Sequence, residues 1–167
     1  VTVAPAVEEQ VPLATGQNLI TLPVAPIDGL TAVGLAQQVA EQGGEVAQVS
    51  RWDGGTQSYE IWRPGGSDIE LQVGEGYFVL VARTPSDGVW RVLGRRIAAP
   101  APIELVVGLN LIGVPATTPA GGYDTASLVQ AIGAQGGTAV QVVDWDTRTQ
   151  TFVLWSAASP GANVSPI

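Results

Sequence analysis

Gln48-Val49-Ser50-Arg51-Trp52-Asp53-Gly54-Gly55-Thr56-Gln57-Ser58-Tyr59-Glu60-Ile61-Trp62 is matched 93 residues later by Gln141-Val142-Val143-Asp144-Trp145-Asp146-Thr147-Arg148-Thr149-Gln150-Thr151-Phe152-Val153-Leu154-Trp155. Each stretch reads as a β-hairpin. Val46–Trp52 alternates as a strand, Asp53–Gln57 turns, and Ser58–Trp62 returns. An aspartate opening the turn accepts a hydrogen bond from backbone two residues on. Trp52, Tyr59 and Trp62 are expected to meet across the two strands.

The likeness extends outward. Residues 35–62 align with 128–155 without a gap, and 12 of the 28 positions are identical. Further upstream, at an offset of 92, Gly16, Asn18, Leu19, Ile20 and Pro23 recur as Gly108, Asn110, Leu111, Ile112 and Pro115. The chain is therefore an internal duplication. Each copy predicts a leading strand, Asn18–Pro23 or Asn110–Pro115, and then a short helix. Thr31 and Asp124 are the predicted N-caps, since their side-chain oxygens accept from free backbone N–H groups. Leu35 with Val39, and Leu128 with Ile132, mark one apolar helix face. The Gly-Gly pairs at 43–44 and 136–137 stop the helices. The first copy continues through strand-like Ile69–Val73, Tyr77–Val81 and Val89–Ile97.

These readings give an α+β, β-dominated fold of two tandem homologous units, each a small, mainly antiparallel sheet with one short helix. Residues 1–12 form an N-terminal extended segment, 13–97 the first repeat, 98–103 a Pro/Ala linker and 104–167 an incomplete second repeat. The second copy lacks a counterpart to the forty residues after Trp62. A sheet short of strands exposes unpaired backbone groups. Either the chain is a piece of a longer one, or Val1–Val7 folds back to fill the gap, or that segment inserts into a neighbouring subunit as a donor strand. Insertion would build a head-to-tail homo-polymer.

Composition narrows the function. The 167 residues contain no His, Cys, Met or Lys, and all seven basic residues are arginine. Ser-His-Asp and Cys-His catalysis, Schiff-base chemistry and the P-loop lysine are thereby excluded, as is a Lys–Asn isopeptide crosslink. The lack of an initiator Met reads as a processed product or a piece of a longer chain. A net charge of −8 opposes binding to a phosphate backbone or to an anionic lipid surface. No apolar run is long enough to span a bilayer, and no cofactor is expected.

Gly-x-Asn-Leu-Ile-x-Leu-Pro, a short helix, Trp-Asp-x-x-Thr-Gln-x-Tyr and then Gly-x-Gly-Tyr-Phe-Val together resemble a module of bacterial cell-surface and secreted proteins. Such modules often begin with a Gly-Trp-Asn-Leu-like strand; here Gln17 and Leu109 stand in place of the tryptophan. The resemblance implies a surface-exposed, non-enzymatic building block, extracellular or at the cell surface, and carries over no catalytic residues.

The expected function is accordingly a non-catalytic structural one: a subunit of a pilus-like filament or other cell-surface assembly, partnered by itself or by another surface protein through strand exchange. Val1, Val3 and Val7 are the candidate donor residues. Arg91, Arg95 and Arg96 would meet Glu8 and Glu9 across an interface. The alternative is a carbohydrate-binding adhesion module, with Trp52, Trp62, Trp145 and Trp155 stacking on a glycan. Asp144 and Asp146 are the weak candidates for a calcium ion. Asp53 and Asp146 read as turn-formers rather than catalytic acids.

Overall fold

The computed structural model describes residues 5–97, 102–113 and 124–156. Over these described residues the fold is β-dominated, with two helices and several small antiparallel sheets. It divides into two compact units, Val1–Pro115 and Ala116–Ile167. The leading segment of the second sequence repeat thus belongs to the compact unit of the first.

In the first unit, a four-stranded antiparallel sheet has the order β2 (Gly16–Thr21), β8 (Gly76–Arg83), β5 (Glu45–Asp53), β6 (Ser58–Trp62). A three-stranded sheet runs β1 (Ala6–Pro12), β9 (Val89–Arg95), β3 (Ala25–Pro26), and β4 (Leu30–Thr31) pairs with β7 (Glu70–Leu71). Period-two patterning sets which face is buried. Tyr77, Val79 and Val81 of β8 and Trp90 and Val92 of β9 point into one core with Leu22, Val24, Leu35, Val39 and Val49. The helix α1 (Ala32–Glu41) covers this core, contributing Leu35 and Val39.

The helix ends follow the sequence. Thr31 Oγ1 accepts from Gly34 N at 3.1 Å. At the C-terminus Gly43 turns left-handed with φ +87°, and Gly44 N donates to Val39 O at 2.9 Å. The two glycines have different reasons. The first supplies the positive φ. The second is packed so closely that a Cβ there would lie 2.7 Å from Val39 Cγ1.

Two predicted features need correction. Trp62 does not join Trp52 and Tyr59: positions 59 and 62 lie on opposite faces of β6, and Trp62 is buried in the core. Nor is Asn110–Pro115 a strand over its described part, Asn110–Gly113; only Ile112 makes a ladder pair, with Glu75.

The N-terminal segment is a strand paired within its own chain. β1 lies antiparallel to β9 over seven residues, from Ala6 opposite Arg95 to Pro12 opposite Val89. It therefore completes a sheet of the first unit. Val1 and Val3, and most of the linker at 98–103, lie outside the described residues.

The second unit, described by itself, holds α2 (Thr125–Ala134) and the hairpin β10 (Gln141–Asp146)–β11 (Thr151–Ser156). Asp124 caps α2 reciprocally with Ser127: Ser127 N donates to Asp124 Oδ1 at 2.7 Å and Asp124 N to Ser127 Oγ at 3.0 Å. Gly136 takes φ +85° and Gly137 N donates to Ile132 O at 3.0 Å, repeating the first copy.

Gly94 tests the packing of the two sheets. A Cβ there would meet Ala25 O and Val24 Cγ2, both at 2.6 Å. Gly94→Ala should lower stability by about 1–3 kcal/mol. Urea denaturation should show a lower midpoint with an unchanged slope.

Candidate functional site

The candidate site is the turn of the first hairpin, which holds the leading segment of the second repeat by its backbone. Its foundation is Asp53. Asp53 Oδ1 accepts from Gly55 N at 2.9 Å and Thr56 N at 3.4 Å, and Thr56 Oγ1 donates to Asp53 Oδ2 at 2.8 Å. The Thr56 hydroxyl, followed by the Gly55 amide, holds the Asp53 carboxyl below the usual aspartate range. This turn forces Gln57 into the left-handed region, φ +53°. A non-glycine residue there is uncommon and calls for a compensating contact.

That contact is a two-point grip on Leu109. Leu109 N donates to Gln57 Oε1 at 2.8 Å, and Gln57 Nε2 donates to Leu109 O at 3.1 Å. Gln57 Nε2 also donates to Gly54 O at 2.6 Å, which orients the amide. Trp52 Nε1 donates to the same Leu109 carbonyl at 2.8 Å. The Trp52 ring is steadied edge-on by Tyr59, with centroids 4.8 Å apart at 73°. The Gln57 amide thus presents one donor and one acceptor, as a neighbouring strand would.

The leader is shaped to fit. Asn110 closes a ring on its own backbone: Val106 N donates to Oδ1 at 2.9 Å, and Nδ2 donates to Val106 O at 2.8 Å and Gly108 O at 3.2 Å. Asn18 closes the same ring on Ala14 and Gly16 in the first copy. Gly108 has φ +111°, and a Cβ there would lie 2.4 Å from Gln57 Oε1. Glycine is required both for the backbone and for the approach of the amide. The Leu109 side chain, by contrast, is 66% exposed, so the turn does not select the residue between Gly and Asn.

Beyond Asn110 the leader lies along the bend before β8. Gly113 N donates to Gly74 O at 2.9 Å and Gly76 N to Leu111 O at 3.5 Å. The bend is fixed from beneath by Tyr77, whose hydroxyl accepts from Gln72 N at 2.6 Å and donates to Glu75. Burial, with the Glu75 carboxylate beside it, pushes the Tyr77 hydroxyl pKa far up. It therefore stays protonated and able to donate at any physiological pH.

The residues singled out in the sequence are dispersed. Trp62 and Trp155 are 4% and 7% exposed. The Trp62 indole N–H is buried without a partner among the described residues. These two rings offer no stacking face, and the Trp52 indole is already engaged on Leu109. Asp144 Oδ1 accepts from Trp145 N at 2.8 Å, while Asp146 Oδ1 accepts from Arg148 N and Thr149 N at 2.9 and 3.3 Å. Among the described residues no three His, Cys, Asp or Glu side chains converge on a metal position. Val7 sits in β1 opposite Gly94 and packs on the core. Arg91 pairs with Asp87 and lies 4.0 Å from Glu8 of its own chain. Arg95 ends the β9 ladder and Arg96 follows it, both exposed. No helix among the described residues is long and apolar enough to cross a membrane.

Gln57, Gly108 and Asn110 had no assigned role in the sequence, although each recurs in the second copy or the first. The signal was the coincidence of a shared Gln in a turn with a shared Gly-x-Asn in a leader. Comparison with family models, with curated proteins and with solved structures gives no match.

Gln57→Ala removes both arms of the grip. Hydrogen bonds of this kind contribute about 1 kcal/mol each, so thermolysin should cut within Leu105–Leu109 at least about tenfold faster in the variant. Equal cleavage rates would show the grip to be idle. A pH series gives a second check. Because the folded-state pKa of Asp53 is depressed, the turn's contribution is present at neutrality and is lost only as pH falls through that lowered value. The Trp52 indole resonance should hold its position from pH 7 down past the ordinary aspartate range and move only below it.

Proposed function

We propose that the chain is a non-catalytic, extracellular structural module, a subunit of a cell-surface assembly built by strand exchange. The observation that carries this reading is the capture of one repeat's leader by the preceding repeat's hairpin. The polar side chains that recur between copies bond backbone rather than converge on a cleft. Aspartates close turns, glutamine amides replace strands and an indole N–H meets a carbonyl. An array of such units is joined link to link by main-chain hydrogen bonding, as in other repeat architectures. The resemblance to surface and secreted modules supports the extracellular placement, and the net charge of −8 suits a protein that must resist non-specific association.

β1 is the exchangeable element. Among the described residues it is an edge strand, paired on one side with β9. It is joined to β2 by the short connection through Leu13, Ala14 and Thr15. The same ladder can be made to β9 of a neighbouring copy, which yields a heterologous, extendable contact. Glu8 near Arg91 would then lie across the subunit boundary with the same geometry.

The chain has no cysteine, so an engineered pair reports without interference. Gln10 and Arg91 are register partners, within reach of a disulfide. Gln10→Cys/Arg91→Cys, oxidised as a dilute monomer, locks β1 in its own chain. Sedimentation and electron microscopy of concentrated samples should show oligomers or fibres for the reduced form and monomers for the oxidised form. Monomers in both states overturn the reading.

A further inference from the structure

Three Asp-Gly steps occur in the chain: Asp28-Gly29, Asp53-Gly54 and Asp87-Gly88. Each carries a latent reaction. The glycine nitrogen can attack the side-chain carboxyl of the aspartate before it, and the absence of a Cβ leaves that approach open. Whether the reaction proceeds depends on how the fold holds the two groups.

Two of the three steps are tied down. Asp53 accepts from Gly55 N, Thr56 N and the Thr56 hydroxyl. Asp87 Oδ1 accepts from Val89 N at 3.2 Å, and its Oδ2 pairs with the Arg91 guanidinium. Such bonds favour the charged carboxylate. Both groups are held below the usual aspartate range, Asp53 chiefly by the Thr56 hydroxyl and Asp87 chiefly by Arg91. The charged form is the unreactive one, because its oxygen departs only once protonated. The glycines are confined as well. Gly88 N donates to Pro85 O at 2.9 Å, and a Cβ on Gly54 would lie 3.0 Å from Val106 Cγ2.

Asp28-Gly29 has none of these restraints. Asp28 is exposed, and its carboxylate has no hydrogen bond or ion pair among the described residues. Gly29 N reaches Pro26 O only at 3.4 Å, beyond the usual N–H···O range. Nothing lies within 4 Å of a Cβ built on Gly29, so a ring has room to close. The step lies in the turn between β3 and β4, each two residues long. So short a ladder on either side does little to resist local opening.

We infer that Asp28-Gly29 is a self-modification site at which the chain converts spontaneously to isoaspartate, and that the fold protects the other two Asp-Gly steps. Gly29 N bonds to Asp28 Cγ. The carboxyl oxygen leaves as water, taking the amide proton and one proton from solvent, and a five-membered succinimide forms. Water then adds to the ring carbonyl that was the Asp28 backbone carbonyl, and that carbon's bond to Gly29 N breaks. The main chain now runs through Cβ and Cγ, and the former backbone carbon becomes a free carboxylate. One water leaves and one enters, the proton returns to solvent, and no oxidant or reductant takes part. The product has one extra main-chain carbon between β3 and β4, just ahead of Thr31, which caps α1.

The test incubates the full chain for weeks at neutral pH in water enriched with oxygen-18. Each ring opening builds one solvent oxygen into the product, and an isoaspartyl bond resists a protease that cuts before aspartate. Oxygen-18 uptake and loss of cleavage should develop at Asp28 at least about tenfold faster than at Asp53 or Asp87, whose carboxylates must first shed their bonds. In urea the three steps should react at comparable rates. Asp28→Glu should abolish the reaction at that position, since the ring would need a further carbon. Asp28→Asn should enter the same ring with loss of ammonia and yield the acidic products. A folded chain that takes up no label at Asp28 while the unfolded chain reacts, or that takes it up equally at all three steps, overturns the inference. So does the same ranking in urea, which would trace the difference to sequence alone. These readouts are made on the monomer and are separate from whether the protein assembles.

Discussion

The fold depends on finding partners for backbone groups that its short strands leave unpaired. A buried or half-buried N–H or C=O must be hydrogen-bonded, yet β3, β4 and β7 are only two residues long. Glutamine amides fill the gaps. β3 pairs with β9 only at Gly94 and Arg95; further along, Arg91 N donates to Gln42 Oε1 at 2.8 Å and Gln42 Nε2 donates to Arg91 O at 3.0 Å. Gln57 grips Leu109 in the same two-point manner. A primary amide has the donor and acceptor of a peptide group on a flexible arm, so it can complete a ladder where no strand reaches. In the second unit the equivalent of Gln42, Gln135, turns its Nε2 onto Ala131 O of its own helix at 3.1 Å.

Glycine is the complement of this device. An amide arm or a packed chain can approach the backbone closely only where there is no Cβ. Gly44, Gly94 and Gly108 are each crowded to within 2.7 Å at the Cβ position. Gly43 and Gly136 instead serve the left-handed turn that ends each helix. The abundance of glycine therefore records two separate constraints, one conformational and one steric.

Much of this was legible in the sequence. The duplication, both N-caps, the Gly-Gly stops and the two hairpins were all fixed by local rules, in which a residue's role depends on neighbours within four positions. The placement of Trp62 was equally legible, since parity along β6 sets it on the face opposite Tyr59. What stayed hidden was long-range: the pairing of β1 with β9, the division of the strands among several sheets, and the docking of residues 105–113 on the first unit. Gln57 illustrates the reason. Its identity in both copies was visible, but its role depends on a segment 52 residues away, and nothing local distinguishes a gripping glutamine from a solvated one.

The grip on Leu109 also has a mechanical meaning. Load applied through the chain beyond Gly113 reaches the first unit by way of the docked leader, before it bears on the core. The contacts at Gly76, Gly74 and Gln57 would yield in turn, paying out roughly 35 Å for some ten residues while the sheets stay intact. In a single-molecule pulling experiment that appears as a short, low-force extension preceding the main rupture. The leader would act as a shock absorber, and it re-engages when tension falls because the Asn110 ring and the Asp53 turn each hold their own shape.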